Sequence, residues 1–191
     1  MGFRSSLAQL LVASRGLASS VLLLLLACGP SEPSPGSFQI GKIVLGGGHD
    51  DATPGFVELE PEDPIALLPG IQGGFHMYVN ARLTELDGTP PSSLVFEREA
   101  RSEASKELLS RGKQRIELVP GPAGSLETGR PQQLITCPTP AGVPAAGHLV
   151  LLSVAVSTAD SNESLGSAEL LVRPTCPTDA LAAYCADICG T

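Results

Sequence analysis

The side chains of this chain that could bind a metal ion are its three histidines and a run of carboxylates. His76 lies inside the segment GIQGGFHMYVNARL, His49 stands at the head of an acidic stretch over residues 49–63, and His148 opens an apolar run. Imidazole suits Zn²⁺ or Cu²⁺, and carboxylates suit Ca²⁺. The histidines lie on separate segments, however, and the acidic stretch lacks the ligand spacing of an EF-hand, which favours a solvated acidic face. We therefore expect no metal and no other cofactor, and we keep His76 and His49 as the metal candidates of an alternative hypothesis.

The segment around His76 alternates in a way that is typical of a β-strand. Over residues 75–83, apolar side chains occupy the odd positions and polar or amphipathic ones the even positions. Period-two alternation places the odd set on the core face and the even set outward. We therefore predict that His76, Tyr78 and Arg82 form a solvent-facing row, where we expect any recognition surface. For His76 itself we favour a bulge or strand-entry turn whose imidazole hydrogen-bonds the neighbouring loop; the alternative is that His76, with Tyr78 and Arg82, forms a recognition stripe or one arm of a metal site. The glycine pair before the strand permits unusual backbone angles or the close approach of another chain.

Four cysteines, Cys137, Cys176, Cys185 and Cys189, lie in the C-terminal third of the chain. In an exported chain an even number favours two disulfide bonds, for which three pairings exist. The alternative is a thiol site for copper, because CADIC has a Cys-x-x-x-Cys spacing. The chain lacks both the βαβ pattern of thioredoxin-like copper carriers and the clustered ligands of a cupredoxin, so we favour structural disulfides.

The tail PTDALAAYCADICGT predicts a short helix with two cysteines on one face. The residues expected at its N-cap, in its first turn and at its end are Thr178, Asp179 and Gly190. Residues four apart on a helix hold their Cβ atoms about 5 to 6 Å apart, whereas a relaxed disulfide needs about 3.8 Å. We therefore expect Cys185 and Cys189 to bond outward, one to Cys176 and one to Cys137.

The N-terminal segment has the layout of an export signal. Arg4 and Arg15 are its only charges, and the apolar run after them ends at Ala27 and Cys28. That run is too short to cross a bilayer, which needs roughly 20 residues of helix. LLAC, residues 25–28, resembles the lipobox of bacterial lipoproteins, in which the thiol at the position of Cys28 is alkylated by diacylglycerol and the signal is cut before it. The alternative is an ordinary signal peptide that contains a cysteine.

The lipobox resemblance implies an order of segments along the chain. These are a signal peptide over 1–27, a lipidated cysteine with a Pro/Gly/Ser-rich tether over 28–37, a folded domain over 38–174 and a Cys-rich tail over 175–191. The tether spans up to about 28 Å at roughly 3.1 Å per residue, and two or three acyl chains anchor a protein stably. Glycine follows Cys28, where aspartate would resemble an inner-membrane retention signal. We therefore expect the outer membrane, with the domain facing the periplasm or the cell surface.

The folded domain reads as short apolar or alternating runs between turn residues, which predicts an all-β fold. We expect an antiparallel β-sandwich of immunoglobulin or fibronectin-like architecture with a short, disulfide-linked C-terminal helix. The segment over 102–112 has the composition of a helix, and a long hairpin arm is the alternative. A true immunoglobulin domain has a buried Trp and two cysteines on mid-domain strands. This chain has no Trp, and its cysteines lie late in the sequence, so we predict the architecture and not membership of the family. The candidate strands are 38–45, 56–59, 65–68, 75–83, 94–99, 114–119, 133–137, 149–157 and 168–173.

The segment from Ile40 through the His76 strand carries a GxQGGxH pattern. It resembles a group of predicted lipoproteins from GC-rich Gram-negative bacteria whose role is uncharacterised. The resemblance implies a β-rich fold and an envelope location, and no activity. The residues of the pattern are Gly70, Gln72, Gly73, Gly74 and His76.

Charge and motifs narrow the function classes. Asp and Glu number 20 against 12 Lys and Arg, and cleavage would remove two arginines, so nucleic acid is not an expected partner. No nucleophile elbow, Walker loop, dinucleotide fingerprint or zinc-protease helix is present in the sequence. We therefore expect no enzyme, but a lipid-anchored envelope protein that binds the membrane through its anchor and an envelope protein or surface ligand through its sandwich. The alternative is a periplasmic lipoprotein that binds Cu, Zn or Ca.

Overall fold

The computed structural model describes residues 37–48, 55–130, 132–140 and 142–190, so the signal, Cys28, His49 and nearly all of the tether lie outside the described part. A 3₁₀ turn covers Pro122–Gly124. The strands and the helix are β1 Gln39–Gly47, β2 Val57–Glu58, β3 Pro64–Ala66, β4 Leu68–Pro69, β5 Phe75–Asp87, β6 Leu94–Ser102, β7 Leu108–Ile116, β8 Leu118–Pro120, β9 Leu126–Thr128, β10 Gln133–Cys137, β11 Val150–Thr158, β12 Ser164–Thr175 and α1 Ala182–Cys189.

The strands form two sheets that pack around one core. The first sheet has the order β2-β1-β5-β9-β8, and β4 and β10 pair with the first half of β5. The second sheet has the order β3-β12-β11-β6-β7. Neighbouring strands are antiparallel except β3 and β12, which are parallel. The predicted antiparallel β-sandwich is therefore confirmed, with one short parallel edge strand that the sequence did not indicate.

Hydrophobic residues from both sheets fill the space between them. In β6 every second residue is buried, as its alternating burial pattern shows, and Leu94 and Phe96 are fully enclosed. From the first sheet, Met77 and Leu83 of β5 are equally enclosed. The period-two pattern of these strands matches the two-layer packing, because alternate side chains of a strand point to opposite faces.

The segment over residues 102–112 is a hairpin arm, so the helical prediction is wrong. A turn at 103–105 leads into β7, which pairs with β6 along its length. Ser102 O accepts a hydrogen bond from Lys106 N (2.9 Å), and Ser102 Oγ accepts one from Ser105 N (3.2 Å). These local bonds reverse the chain, and pairing with the long β6 then outweighs the helical propensity of the segment.

The C-terminal helix and both predicted disulfides are present. Cys137 bonds Cys189, and Cys176 bonds Cys185, as the spacing of the two helical cysteines indicated. Gly190 is the C-cap, as predicted. The predicted start is wrong, because the helix begins at Ala182 with Leu181 at the N-cap; neither Thr178 nor Asp179 lies in the helix. The Asp179 carboxylate accepts the Leu181 N–H at 2.8 Å and its carbonyl accepts the Ala182 N–H at 3.0 Å, in a turn that precedes the helix.

A buried arginine interrupts the apolar row of β6. Arg98 is 3% exposed and lies between Phe96 and Ala100 on the inward face. Its Nη1 donates to the Gln133 carbonyl (3.2 Å) and Gln132 Oε1 (3.5 Å), and its Nε has no hydrogen-bond partner within the described residues. Burial lowers the pKa of Arg98, because the interior disfavours the charged form. This guanidinium has no carboxylate partner among the described residues.

Arg98→Met is expected to raise the free energy of unfolding by about 1 to 2 kcal/mol, because an apolar side chain of similar length avoids desolvation of a charge. The gain is limited because the Gln133 carbonyl loses a donor. Urea unfolding measures it. Arg115→Met, at an exposed position of β7, serves as the control and should change stability by less than about 0.5 kcal/mol. Destabilisation by Arg98→Met would contradict this account.

Glu99, on the outer face of β6, accepts hydrogen bonds from Arg101 and Arg111. Burial alone would raise the pKa of Glu99, but the hydrogen bonds and charges of the two arginines outweigh burial, and the net result is a lowered pKa. A carboxyl whose pKa is lowered on folding stabilises the protein above its unfolded pKa, and that stabilisation is lost as the pH falls through the folded pKa.

Glu99→Gln should therefore reduce stability at pH 7 and flatten the loss of stability on the acid side. Unfolding titrations at several pH values between 7 and the acid limit of the fold test this. Glu107→Gln, at an exposed carboxylate of the same hairpin, should leave the slope as in the wild type. Equal slopes in wild type and Glu99→Gln would show that this pair of arginines does not stabilise the ionised form.

Candidate binding groove on the outer face of β5

The predicted solvent-facing row starts in a buried part of β5. His76 is 7% exposed and Tyr78 is 4% exposed, so the expectation that both face solvent is wrong. Both edges of this half of β5 are paired, with β4 on one side and β10 on the other. The Tyr78 hydroxyl accepts a hydrogen bond from Gln133 Nε2 (3.1 Å), and the His76 ring meets the Tyr78 ring edge-on at 5.0 Å. Alternation correctly separates the two faces of the strand, but in this half both faces are covered.

Arg82, the third residue of the row, is partly exposed and tightly held. Its Nε and Nη2 both lie 2.8 Å from Glu127 Oε1 in β9, and Nη1 lies 3.8 Å from Glu58 Oε2 in β2. Its guanidinium carbon lies 4.1 Å from the centre of the Phe56 ring, a cation–π contact. The side chains of Arg82 and Glu127 are 22% and 17% exposed. This ion pair is therefore a fixed feature of the surface, oriented from three directions.

Gly46 leaves space for the Phe56 ring that contacts Arg82. A Cβ at Gly46 would lie 2.5 Å from the Phe56 ring and 2.8 Å from the Val57 carbonyl oxygen. Phe56 therefore lies directly against the backbone of β1, and its ring meets the Arg82 guanidinium on the outer face of the sheet. Only glycine at this position leaves that space.

Asn80, two residues before Arg82, forms hydrogen bonds from β5 to three neighbouring segments. It is 4% exposed. Its Nδ2 donates to the Gly47 carbonyl (3.4 Å), and its Oδ1 accepts from Thr128 Oγ1 (3.2 Å) and from Gln132 N (3.3 Å). These bonds fix β1, β9 and the approach to β10 around one side chain. Sequence reasoning placed Asn80 on the outward face but gave no sign that it was a buried junction.

Two cavities flank the Arg82–Glu127 ion pair along the outer face of β5. The larger, of about 540 Å³, is lined by Arg82, Thr84, Glu85, Leu86 and the 122–125 turn. The smaller, of about 100 Å³, is lined by Gly55, Phe56, Asn80, Val119 and residues 127–129. We call the surface formed by both cavities and the ion pair the β5 groove. The larger cavity has the size of a small-molecule site, which is typically 300 to 1,000 Å³.

The remaining metal candidates are not brought together in the described part of the chain. His148 lies in an exposed turn, and His49 is outside the described residues. In the acidic stretch Glu62 pairs with Arg173 at 3.5 Å, and Asp63 Oδ2 accepts the Glu60 N–H at 2.8 Å. No group of three or more His, Cys, Asp or Glu side chains there could hold an ion. The described segments also contain no helix that is long and apolar enough to span a membrane.

Gly46→Ala is expected to lower the free energy of unfolding by about 2 kcal/mol, because the added methyl forces the Phe56 ring outward or separates β1 from β2. The ring proton resonances of Phe56 should shift as it leaves Arg82. Gly47→Ala is a matched control, since its Cβ would meet only the Leu59 side chain at 3.7 Å. Urea unfolding and NMR spectra of both variants make the comparison, and equal behaviour would exclude the proposed close contact.

No family model matches this chain, and no curated protein matches it in a sequence search.

Proposed function

We propose that this chain is a lipid-anchored protein of a bacterial cell envelope, and that its non-catalytic β-sandwich binds an envelope protein or surface ligand through the β5 groove. The lipobox-like LLAC sequence supports an anchor at Cys28, with the outer membrane as the expected location. One observation carries the binding role. The Arg82–Glu127 ion pair is held rigidly between two cavities, at a surface where side chains are more often mobile.

Rigid positioning supports a role in binding because a fixed side chain loses little entropy when a ligand contacts it. Arg82 is fixed by Glu127 and by the Phe56 ring, and Asn80 fixes the strands on either side. Structural ion pairs alone need no adjoining cavity. Here Arg82 also lines a cavity of about 540 Å³.

The lining of the groove favours binding over catalysis. The titratable side chains that line the two cavities are Arg82, Glu85 and Glu127, and the first and last of these neutralise each other. The only serine of the lining, Ser125, donates its hydroxyl hydrogen to the Pro122 carbonyl at 2.7 Å. A nucleophilic mechanism needs a nucleophile activated by an adjacent base, and no such pair lines either cavity.

The binding role is tested by capture from envelope extracts. The full-length chain, extracted in detergent and immobilised, should retain an envelope component that Arg82→Ala and Thr84→Trp do not retain. Arg82→Ala removes the ion pair. Thr84→Trp places a large side chain in the larger cavity and leaves both residues of the ion pair unchanged. Arg111→Ala, on the outer face of the other sheet, is the control and should behave as the wild type. Equal retention by all four proteins would refute the groove as the binding site.

The anchor is tested separately. Cys28→Ala should abolish incorporation of labelled palmitate and release the chain from the membrane fraction. Unchanged labelling in the variant would refute lipidation at Cys28.

A further inference from the structure

We propose that the β5 groove recognises a neutral saccharide through two adjacent hydroxyl groups. This inference rests on the proposed function, since it names the ligand class of the same groove. It follows from the charge, the hydrogen-bonding capacity and the size of the groove.

The charge of the groove disfavours anions. Arg82 is its one cation among the lining residues, and Glu127 already neutralises it at 2.8 Å. Glu58 at 3.8 Å and Glu85 in the cavity wall add two further carboxylates. A carboxylate or phosphate ligand would meet this net negative charge. A neutral polar ligand meets no such penalty.

The unused hydrogen-bonding groups of the ion pair complement a pair of neighbouring hydroxyls. Both bonds between the two side chains converge on Glu127 Oε1, so Glu127 Oε2 accepts no hydrogen bond within the described residues. Arg82 Nη1 likewise donates none there, and its nearest carboxylate oxygen is 3.8 Å away. A carboxylate only accepts, a guanidinium only donates, and a hydroxyl does both. One hydroxyl of a vicinal diol can therefore donate to Glu127 while its neighbour accepts from Arg82, in two charge-assisted bonds.

The rest of the lining suits a sugar ring. Leu86, Pro122 and Ala123 offer an apolar wall for the C–H face of a pyranose, and Thr84 adds a hydroxyl. The larger cavity, of about 540 Å³, exceeds the volume of one hexose, and the smaller cavity beyond the ion pair could hold a single ring substituent. Small-molecule sites commonly combine an apolar lining with a few polar groups in this way.

Binding of defined oligosaccharides tests the proposal. The full-length chain is kept in a detergent without a sugar headgroup and titrated by calorimetry with cellotetraose, which is neutral, and with the anionic tetragalacturonate; both carry a vicinal 2,3-diol on every ring. We expect cellotetraose to bind and tetragalacturonate to bind at least about tenfold more weakly, a difference of about 1.4 kcal/mol. Glu127→Gln and Arg82→Lys should each weaken cellotetraose binding at least about tenfold, because each removes one charge-assisted bond. Glu99→Gln, on the other sheet, should not.

Several outcomes would overturn the inference. These are no binding of cellotetraose, tighter binding of tetragalacturonate than of cellotetraose, or unchanged binding in Glu127→Gln variants that unfold at the wild-type urea concentration. An envelope protein captured through the groove, with no saccharide bound, would overturn the saccharide proposal and leave the proposed function standing. If no envelope component is captured and no oligosaccharide binds, both the proposed binding role of the groove and the saccharide proposal are refuted.

Discussion

Replacing Cys137 and Cys189 together by alanine is expected to lower the free energy of unfolding by about 4 kcal/mol, and replacing Cys176 and Cys185 by about 3 kcal/mol. In the chain-entropy account, a disulfide lowers the entropy of the unfolded chain by an amount that grows with the logarithm of the number of residues in the loop that it closes. The two bonds close loops with sequence separations of 52 and 9 residues. Each pair is replaced as a whole so that no free thiol remains to form a new bond.

The two bonds also differ in what they join. Cys137 ends β10 in the first sheet, and Cys176 directly follows β12 in the second sheet. Their partners both lie on α1, so the helix is fastened to both sheets. An isolated helix of eight residues would not persist in water. Loss of either bond should therefore loosen the helix from one sheet while leaving it attached to the other.

Urea unfolding under oxidising conditions measures both free energies, and hydrogen exchange of the α1 amides shows the local effect. The amides of β11, in the middle of the second sheet, serve as the internal control and should keep their relative protection. A larger loss from the Cys176–Cys185 pair than from the Cys137–Cys189 pair would contradict the loop-length argument.

The strands could be predicted from the sequence where a pattern is long enough to repeat. The candidate strand over 133–137 has the bounds of β10, and the other candidates overlap observed strands. Two strands escaped this reasoning in whole or in large part. β9 has three residues, too few for alternation to show, and the first half of β7 has the composition of a helix.

The candidate site could be predicted only in part, because its contacts join distant segments. Arg82 was identified from the parity of its strand. Its partner Glu127 is 45 residues away on the missed strand β9, and no local pattern links the two. The burial of His76 and Tyr78 escaped prediction for a similar reason, since β10, which pairs with their half of β5, begins only at Gln133. Parity gives the face of a strand, whereas burial of that face depends on what packs over it.

The glycine pair before β5 met both roles that the sequence indicated for it, one at each residue. Gly73 has a φ of 85°, in the left-handed region that favours glycine. Gly74 instead provides a close approach, because a Cβ there would lie 2.6 Å from the carbonyl oxygen of Cys137. Cys137 is fully buried and bonded to Cys189, so its backbone has little freedom to retreat.

Gly74→Ala is therefore expected to lower the free energy of unfolding by about 3 kcal/mol, at the upper end of the usual cost of overpacking. Gly73→Ala should cost about 1 kcal/mol, because it meets backbone strain but no clash. Gly70→Ala, in the same loop, is the matched control: its Cβ would lie 3.4 Å from the Gly74 carbonyl oxygen and from His76 Nδ1, and it should cost least.

Urea unfolding of the three variants tests the order, and hydrogen exchange at β10 locates the damage. Because β5 and β10 meet at Phe75 and Cys137, the clash in Gly74→Ala should open that end of β10 first and leave β11 and β6 protected. A loss in Gly74→Ala no greater than in Gly70→Ala would mean that Cys137 can move away. Position 74 would then tolerate a side chain, and the close packing of β10 against the start of β5 would not explain why His76 is buried.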